Sequence, residues 1–199
     1  MSVQRVFIVR HGETDYNVEH RWQGHLDVPL NPFGKQQAQS LANYCANIAL
    51  DAIFSSDLER AMATVNPLAK HKNLSISTDK RLREVHLGIF QGLKRAEIHE
   101  AYPHEAMRWD NDDRFIIPNG ESRNQVQKRM ISAWQAITSQ SNFTNIMIVS
   151  HGGSLRLLMK KLFPDRIEHM HFANTSITIV DRIAPKKWDV VAINTTPHL

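Results

Sequence analysis

Four apolar residues, Val6-Phe7-Ile8-Val9, run without a break and stop at Arg10-His11-Gly12. A short apolar run ending in such punctuation predicts a strand, Arg5–Arg10, buried on both faces. Strands of this kind belong to parallel sheets, whose ligands gather beyond the carboxyl ends of the strands. Similar runs predict strands at 52–55, 74–77, 145–150, 176–180 and 188–193. Between them apolar residues return at helical spacing. Ala38, Leu41, Ala42, Cys45 and Ile48 predict a helix over 35–48. Ser56-Asp57 offers an N-cap and an acidic first turn for a second helix reaching Lys70. Further helices are predicted over 94–101, 121–140 and 155–162, with loops over 15–32 and 81–92. Periodicity fades over 104–119. Alternating β and α segments predict a three-layer α/β/α fold with a mostly parallel central sheet. We expect one domain over 1–199, with a cap or insertion at about 93–121.

The first strand has a counterpart. Ile146-Met147-Ile148-Val149-Ser150-His151-Gly152 repeats its design: an apolar strand, a polar residue, a histidine, a glycine. If the two strands are parallel neighbours, both histidines reach one edge of the sheet. Glycine after each allows close backbone approach to a ligand. Gly152-Gly153 also opens a helix, whose amide-rich N-terminus favours an anion. One strand-end histidine is ordinarily a satisfied hydrogen-bonding group; two in the same context, with Arg10 beside one, point to a site. A zinc site is the competing reading. His11 and His151 lack a third ligand at metal spacing, and Arg10 would repel a cation. His169-x-His171 is the other metal-like pair, and two such histidines are commonly surface residues. No metal is expected.

Charge and composition add limits. The chain has 24 Lys and Arg against 20 Asp and Glu, a formal charge of +4, and no basic run that would make a nucleic-acid stripe. No nucleic-acid partner is expected; the excess suits anionic small molecules. The single cysteine, Cys45, forms no internal disulfide and fits a reducing compartment. Arg10 cuts the first apolar run far short of a signal peptide, and no stretch approaches a membrane span. A cytoplasmic protein with no membrane contact is expected. Oligomeric state stays open, a homodimer being one option.

Arg10-His11-Gly12-Glu13-Thr14 resembles the signature of the histidine phosphatase superfamily, the branch that includes cofactor-dependent phosphoglycerate mutases. The likeness continues in order through Asn17, Gln23-Gly24, Asp27-Val28-Pro29-Leu30, Gly34, Ser55 to Ala61, Arg83-Glu84, Gly88, Gly92, Gly120-Glu121-Ser122 and Ser150-His151-Gly152. It covers nearly the whole chain. It implies phosphoryl transfer through a phosphohistidine, with His11 as nucleophile. Such a nucleophile needs a neutral imidazole, its second nitrogen fixed by a hydrogen bond that the glycine turn can accept. Arg10 and Arg60 then grip phosphoryl oxygens, His151 is a third donor expected to be protonated, and Glu84 protonates the leaving oxygen. Asn17, Gln23, Gly24 and Gly152 would bind substrate. Without the likeness, Arg60 reads as a surface arginine paired with Glu59 or Asp57, and Glu84 as a partner of Arg81 or Arg83. His86, Trp109 and Phe115 are further candidates for substrate contact, though packing is the commoner role of the two aromatics.

Only 67 positions separate Glu84 from His151. Mutases of this family typically carry a longer insertion there and a C-terminal tail that closes over the intermediate. The resemblance therefore implies a small-branch phosphomonoesterase, such as a broad-specificity or α-ribazole phosphatase, acting on a small phosphorylated metabolite without metal or other cofactor. Mutase-type transfer is the alternative, and an idle phospho-ligand-binding module ranks last because His11, Arg60, Glu84 and His151 are all present.

Overall fold

The computed structural model describes residues 3–166 and 171–199. Within them lies one six-stranded sheet: β1 (Arg5–Arg10), β2 (Ala52–Ser55), β3 (Ile76–Thr78), β4 (Asn145–Ser150), β5 (Ile177–Ala184) and β6 (Lys187–Thr195). The spatial order is β3-β2-β4-β1-β5-β6. β3, β2, β4 and β1 pair in parallel, while β5 and β6 add an antiparallel hairpin beside β1. The sheet is thus mostly parallel, as the strand composition predicts.

The two-residue period of β1 divides the core. Val6 and Ile8 point to one cluster with Ile146 and Ile148, while Phe7 and Val9 point to another with Met147 and Val149. The second cluster is completed by Leu41 and Ala42 of α2 (Pro32–Tyr44) and Val65 and Leu68 of α3 (Glu59–Lys72). The first is completed by Val126, Met130 and Trp134 of α6 (Arg123–Thr138) and Leu155 and Leu158 of α7 (Gly152–Leu162). Helices therefore cover both faces.

Three stretches differ from the sequence expectation. The helix foreseen at 35–48 starts at Pro32, because Asn31 caps it by accepting from the Gly34 amide and Pro32 fits the first helical turn. The loop at 15–32 holds a one-turn helix, α1 (Asp15–Val18), closed by a Thr14/Asn17 capping box. The aperiodic 104–119 stretch carries a helix, α5 (Pro103–Asn111), after α4 (Arg95–Ala101). Ala106 and Trp109, one turn apart, are buried with Phe115 and Ile117 in the first core cluster. Charged residues around this pair mask its helical period.

Candidate active site

β1 and β4 run parallel with Arg10 opposite Ser150, so the histidine after each strand arrives at the same edge. The imidazoles of His11 and His151 lie 5.1 Å apart between centroids, and both are buried. His11 lines a cleft of about 360 Å³ together with Arg10, Asn17, Gln23, Gly24, Arg60, Glu84 and Gly152, among others, whereas His151 is not among the lining residues and packs beside His11.

The Nδ1 of His11 lies 2.7 Å from the Gly12 carbonyl. A carbonyl can only accept, so Nδ1 carries the proton and Nε2 keeps a free lone pair. Burial, then the charges of Arg60 and Arg10, hold the His11 pKa well below the usual histidine value. The imidazole is therefore neutral. The turn that fixes it is itself held: the Gly12 amide donates to Thr64 Oγ1 at 2.8 Å, and Asn174 Nδ2 donates to the His11 carbonyl at 3.0 Å.

Around His11 the donors are supplied without complete partners. Arg60 is fully buried in α3; its two terminal nitrogens donate to the Gly24 and Leu26 carbonyls, both at 2.8 Å. The Gly24 carbonyl faces Arg60 because that residue takes a left-handed φ of 54°, which glycine adopts freely. Burial pushes the Arg60 pKa down to about 10. Arg10 donates to the Phe172 carbonyl and lies 3.4 Å from His171 Nε2. The Nε atoms of Arg10 and Arg60, Oε1 of Gln23 and Nδ1 of His151 are buried without a hydrogen-bond partner among the described residues. Unpaired buried polar groups are rare and each costs about 1–3 kcal/mol. Three of them belong to residues lining one cleft, with His151 packed against His11 beside it, and together they mark a place shaped for a charged ligand. Asn17 uses Oδ1 to accept from Thr14 and Asn174, leaving its amide N–H groups for the cleft it lines.

The protonation expected of His151 is one that a bound phosphate stabilises; the protein's own groups oppose a charge on His151. Its Nε2 pairs with Ser56 Oγ at 2.8 Å, and burial followed by the Arg60 charge holds its pKa well below the usual value. Held so by burial and its cationic neighbours, the His151 imidazole is neutral. The helix N-terminus also has a different guest. The amides of Gly153 and Ser154, with Ser154 Oγ, donate to the Glu84 carboxylate at 2.9–3.2 Å. Glu84 sits so close that a Cβ on residue 153 would meet its Oε1 at 2.7 Å, which explains the glycine. The ion pairs weighed for Glu84 are absent: Arg81 pairs with Asp79 and Arg83 with Asp57. Arg60 likewise has no carboxylate partner among the described residues.

Of the further candidates, Trp109 lines the cleft beneath the Arg123 guanidinium, 4.0 Å over its ring. His86 packs edge-on against His25 and Phe115 packs under Arg108, both away from the cleft lining. His169 lies outside the described residues, while His171 lines the cleft. Among the described residues no three His, Cys, Asp or Glu side chains cluster as a metal site. Sequence reasoning missed Ser56, Thr64, Ser154 and Asn174, which orient the others, and Arg21, Arg95, Arg123 and Arg156 on the cleft wall. Thr64 could have been found: it lies one turn after Arg60 on the same helix face.

This fold and this site define an α/β protein with two strand-end histidines flanked by buried arginines. The chain belongs to the histidine phosphatase superfamily, branch 1, whose sequence model matches residues 6–196. It is 35% identical over 198 residues to phosphoglycerate mutase-like protein 4 of Arabidopsis thaliana, covering 98% of this chain and 86% of that one. It is 36% identical over 169 residues to a glucosyl-3-phosphoglycerate phosphatase of Mycolicibacterium vanbaalenii, covering 81% and 75%. Its structure resembles the α-ribazole phosphatase of Shigella flexneri with a TM-score of 0.83 and 27% identity, covering 96% of each chain.

Proposed function

We propose that the chain is a phosphomonoesterase that works through a phosphohistidine on His11. The observation that carries this is a neutral His11, its free Nε2 fixed by the Gly12 carbonyl, set among buried donors that lack partners. Phosphatases among its relatives, by name, support the same reading. In the first step Nε2 attacks phosphorus, the ester P–O bond breaks, and Glu84 hands its proton to the departing alkoxide. Arg10, Arg60 and His151 hold the phosphoryl oxygens as charge spreads over them. Asn17 and Gln23 add neutral donors, and Gly24 and Gly152 give the backbone room to approach. In the second step Glu84 takes a proton from water, whose oxygen attacks phosphorus while the P–N bond breaks. Phosphate leaves and His11 returns to its neutral form.

The arginines supply the charge that a metal ion supplies elsewhere, so the reaction runs without metal. The substrate is a small phosphorylated metabolite, and the enzyme works in the cytoplasm, in keeping with a lone cysteine whose thiol burial pushes up to about 11. The test is release of phosphate from a panel of phosphate esters by chelator-treated protein, beside His11→Ala. We expect turnover that survives chelation and disappears in the variant. Turnover retained by His11→Ala excludes the phosphohistidine route. Loss on chelation that metal restores excludes the metal-free one. Isomerised 3-phosphoglycerate in place of free phosphate would favour the mutase reading.

A further inference from the structure

Arg129 lies on α6, outside the cleft lining, yet three of its five donors are committed to the loop that carries Glu84 and the other two to Glu121. Its Nη1 donates to the Arg81 and Arg83 carbonyls and its Nη2 to the Glu84 carbonyl, each at 2.7 Å. Its Nε and second Nη2 hydrogen grip both oxygens of Glu121, at 2.8 and 2.9 Å. A guanidinium has five N–H groups, and all five are used. Glu121 is tied to the same loop, because its Oε2 accepts from the His86 amide and its own amide donates to the His86 carbonyl. His25 Nε2 adds a second donor to the Glu84 carbonyl at 2.8 Å. The pair is partly buried, and burial is the largest influence on the Glu121 carboxyl and works against its charge, yet the Arg129 bond and charge, the His86 amide and His25 together hold that carboxyl below its usual pKa.

An arginine that merely closed a loop would need one or two of these bonds. This one fixes the main chain at 81, 83 and 84 simultaneously, immediately behind a side chain whose carboxylate is set from the opposite direction by the first turn of α7. Lysine, with three donors and no planar fork, cannot hold three carbonyls and a bidentate carboxylate. We propose that Arg129, locked by Glu121, is the positioning residue that sets where the Glu84 carboxylate stands over the cleft. The inference rests on the reading of Glu84 as proton donor to the leaving group. Proton transfer requires hydrogen-bond reach of the leaving oxygen, and displacements near 1 Å cost about a hundredfold.

The test uses kcat/KM, which reports the steps up to departure of the alcohol, on two substrates. An alkyl phosphate needs its leaving oxygen protonated; p-nitrophenyl phosphate does not. Arg129→Lys is expected to lower kcat/KM at least tenfold for the alkyl ester and less than threefold for the nitrophenyl ester. In a Glu84→Gln background the same substitution should add nothing to the alkyl-ester loss, because no proton donor remains to be misplaced. Equal losses on both substrates, or full additivity with Glu84→Gln, overturn the proposal in favour of a merely structural role. If Arg129→Lys does not fold, Glu121→Gln, which keeps the side-chain shape, is expected to show the same selective loss, and an unselective one counts against the proposal. The two readings separate cleanly. A Glu84→Gln variant indifferent to leaving group defeats the proton-donor role itself, whereas a selective Glu84→Gln with an unselective Arg129→Lys defeats only the positioning.

Discussion

Replacing Arg60 with methionine keeps the side-chain volume near that of the arginine and removes its charge and donors. Burial first of all pulls the Arg60 pKa down from the ordinary arginine value to about 10, which reflects how unwelcome that charge is in its buried surroundings. At about 1.36 kcal/mol per pKa unit that fall corresponds to about 3 kcal/mol of stability that the substitution returns. Against this stand two lost bonds, to the Gly24 and Leu26 carbonyls. Leu26 is partly exposed and its carbonyl can turn to water, while the Gly24 carbonyl is left buried, at a cost of about 1–3 kcal/mol. The two effects nearly cancel. Arg60→Met should therefore unfold in urea within about 1 kcal/mol of the native protein in phosphate-free buffer. Phosphate should raise the midpoint of the native protein and leave that of the variant almost unchanged, and phosphatase turnover should fall at least a hundredfold. A variant more than about 3 kcal/mol less stable, the usual cost of breaking a buried charge pair, would show that Arg60 is retained for the fold. Equal stabilisation of both proteins by phosphate would refute its role as an oxyanion clamp.

Two further outcomes follow from the buried groups. His11 and His151 both have pKa values pressed well below 6.5, so the unfolded chain binds protons there that the folded chain refuses. Their stabilising contribution is complete above about pH 6.5 and is lost as pH falls, by up to about 2.7 kcal/mol per pH unit for the pair. Urea midpoints measured from pH 7.5 to 5 should drop in that window and less steeply in His151→Gln; a flat profile above pH 5 would contradict the neutral, buried imidazoles. Thr64→Val strands the Gly12 amide, which should cost about 1–3 kcal/mol in urea unfolding and slow turnover by loosening the carbonyl that orients His11. Unchanged stability and rate would show that Gly12 needs no such anchor.

Much of this was legible along the chain. The period of Val6 to Val9 and of Ile146 to Val149 determined two buried strands, and the identical punctuation after them located the edge where ligands gather. The core helices α2 and α6 followed from apolar spacing, because burial imposes that spacing locally, whereas α3 is expected from a Ser56-Asp57 cap and is capped instead at Leu58 with no side-chain bond. The helix at Pro103–Asn111 did not, since only Ala106 and Trp109 of its nine residues are buried. A stripe that narrow is lost among its charged neighbours.

The site divides in the same manner. His11, Arg60, Glu84 and His151 could be nominated as residues, but their states depend on neighbours distant in the chain. Spacing alone reads Arg60 as a surface arginine, and the fold instead buries it against the Gly24 and Leu26 carbonyls. The resemblance implies a charged His151 stabilised by phosphate, while burial and Arg60 hold the imidazole neutral among the protein's own groups. Spacing alone also offers Glu84 a nearby arginine partner, and its carboxylate instead rests on amides of residues 153 and 154. Hydrogen-bond partners 30 to 70 positions apart, such as Arg60 with Gly24 and Glu84 with Ser154, leave no periodic trace in a sequence. The sequence alone determined which chemical groups stand at the carboxyl edge of β1 and β4. Only the tertiary structure decided their charge, because burial and distant cations set it and contacts such as His151 with Ser56 span 95 positions, whereas the His11 tautomer is fixed locally by the next residue's carbonyl.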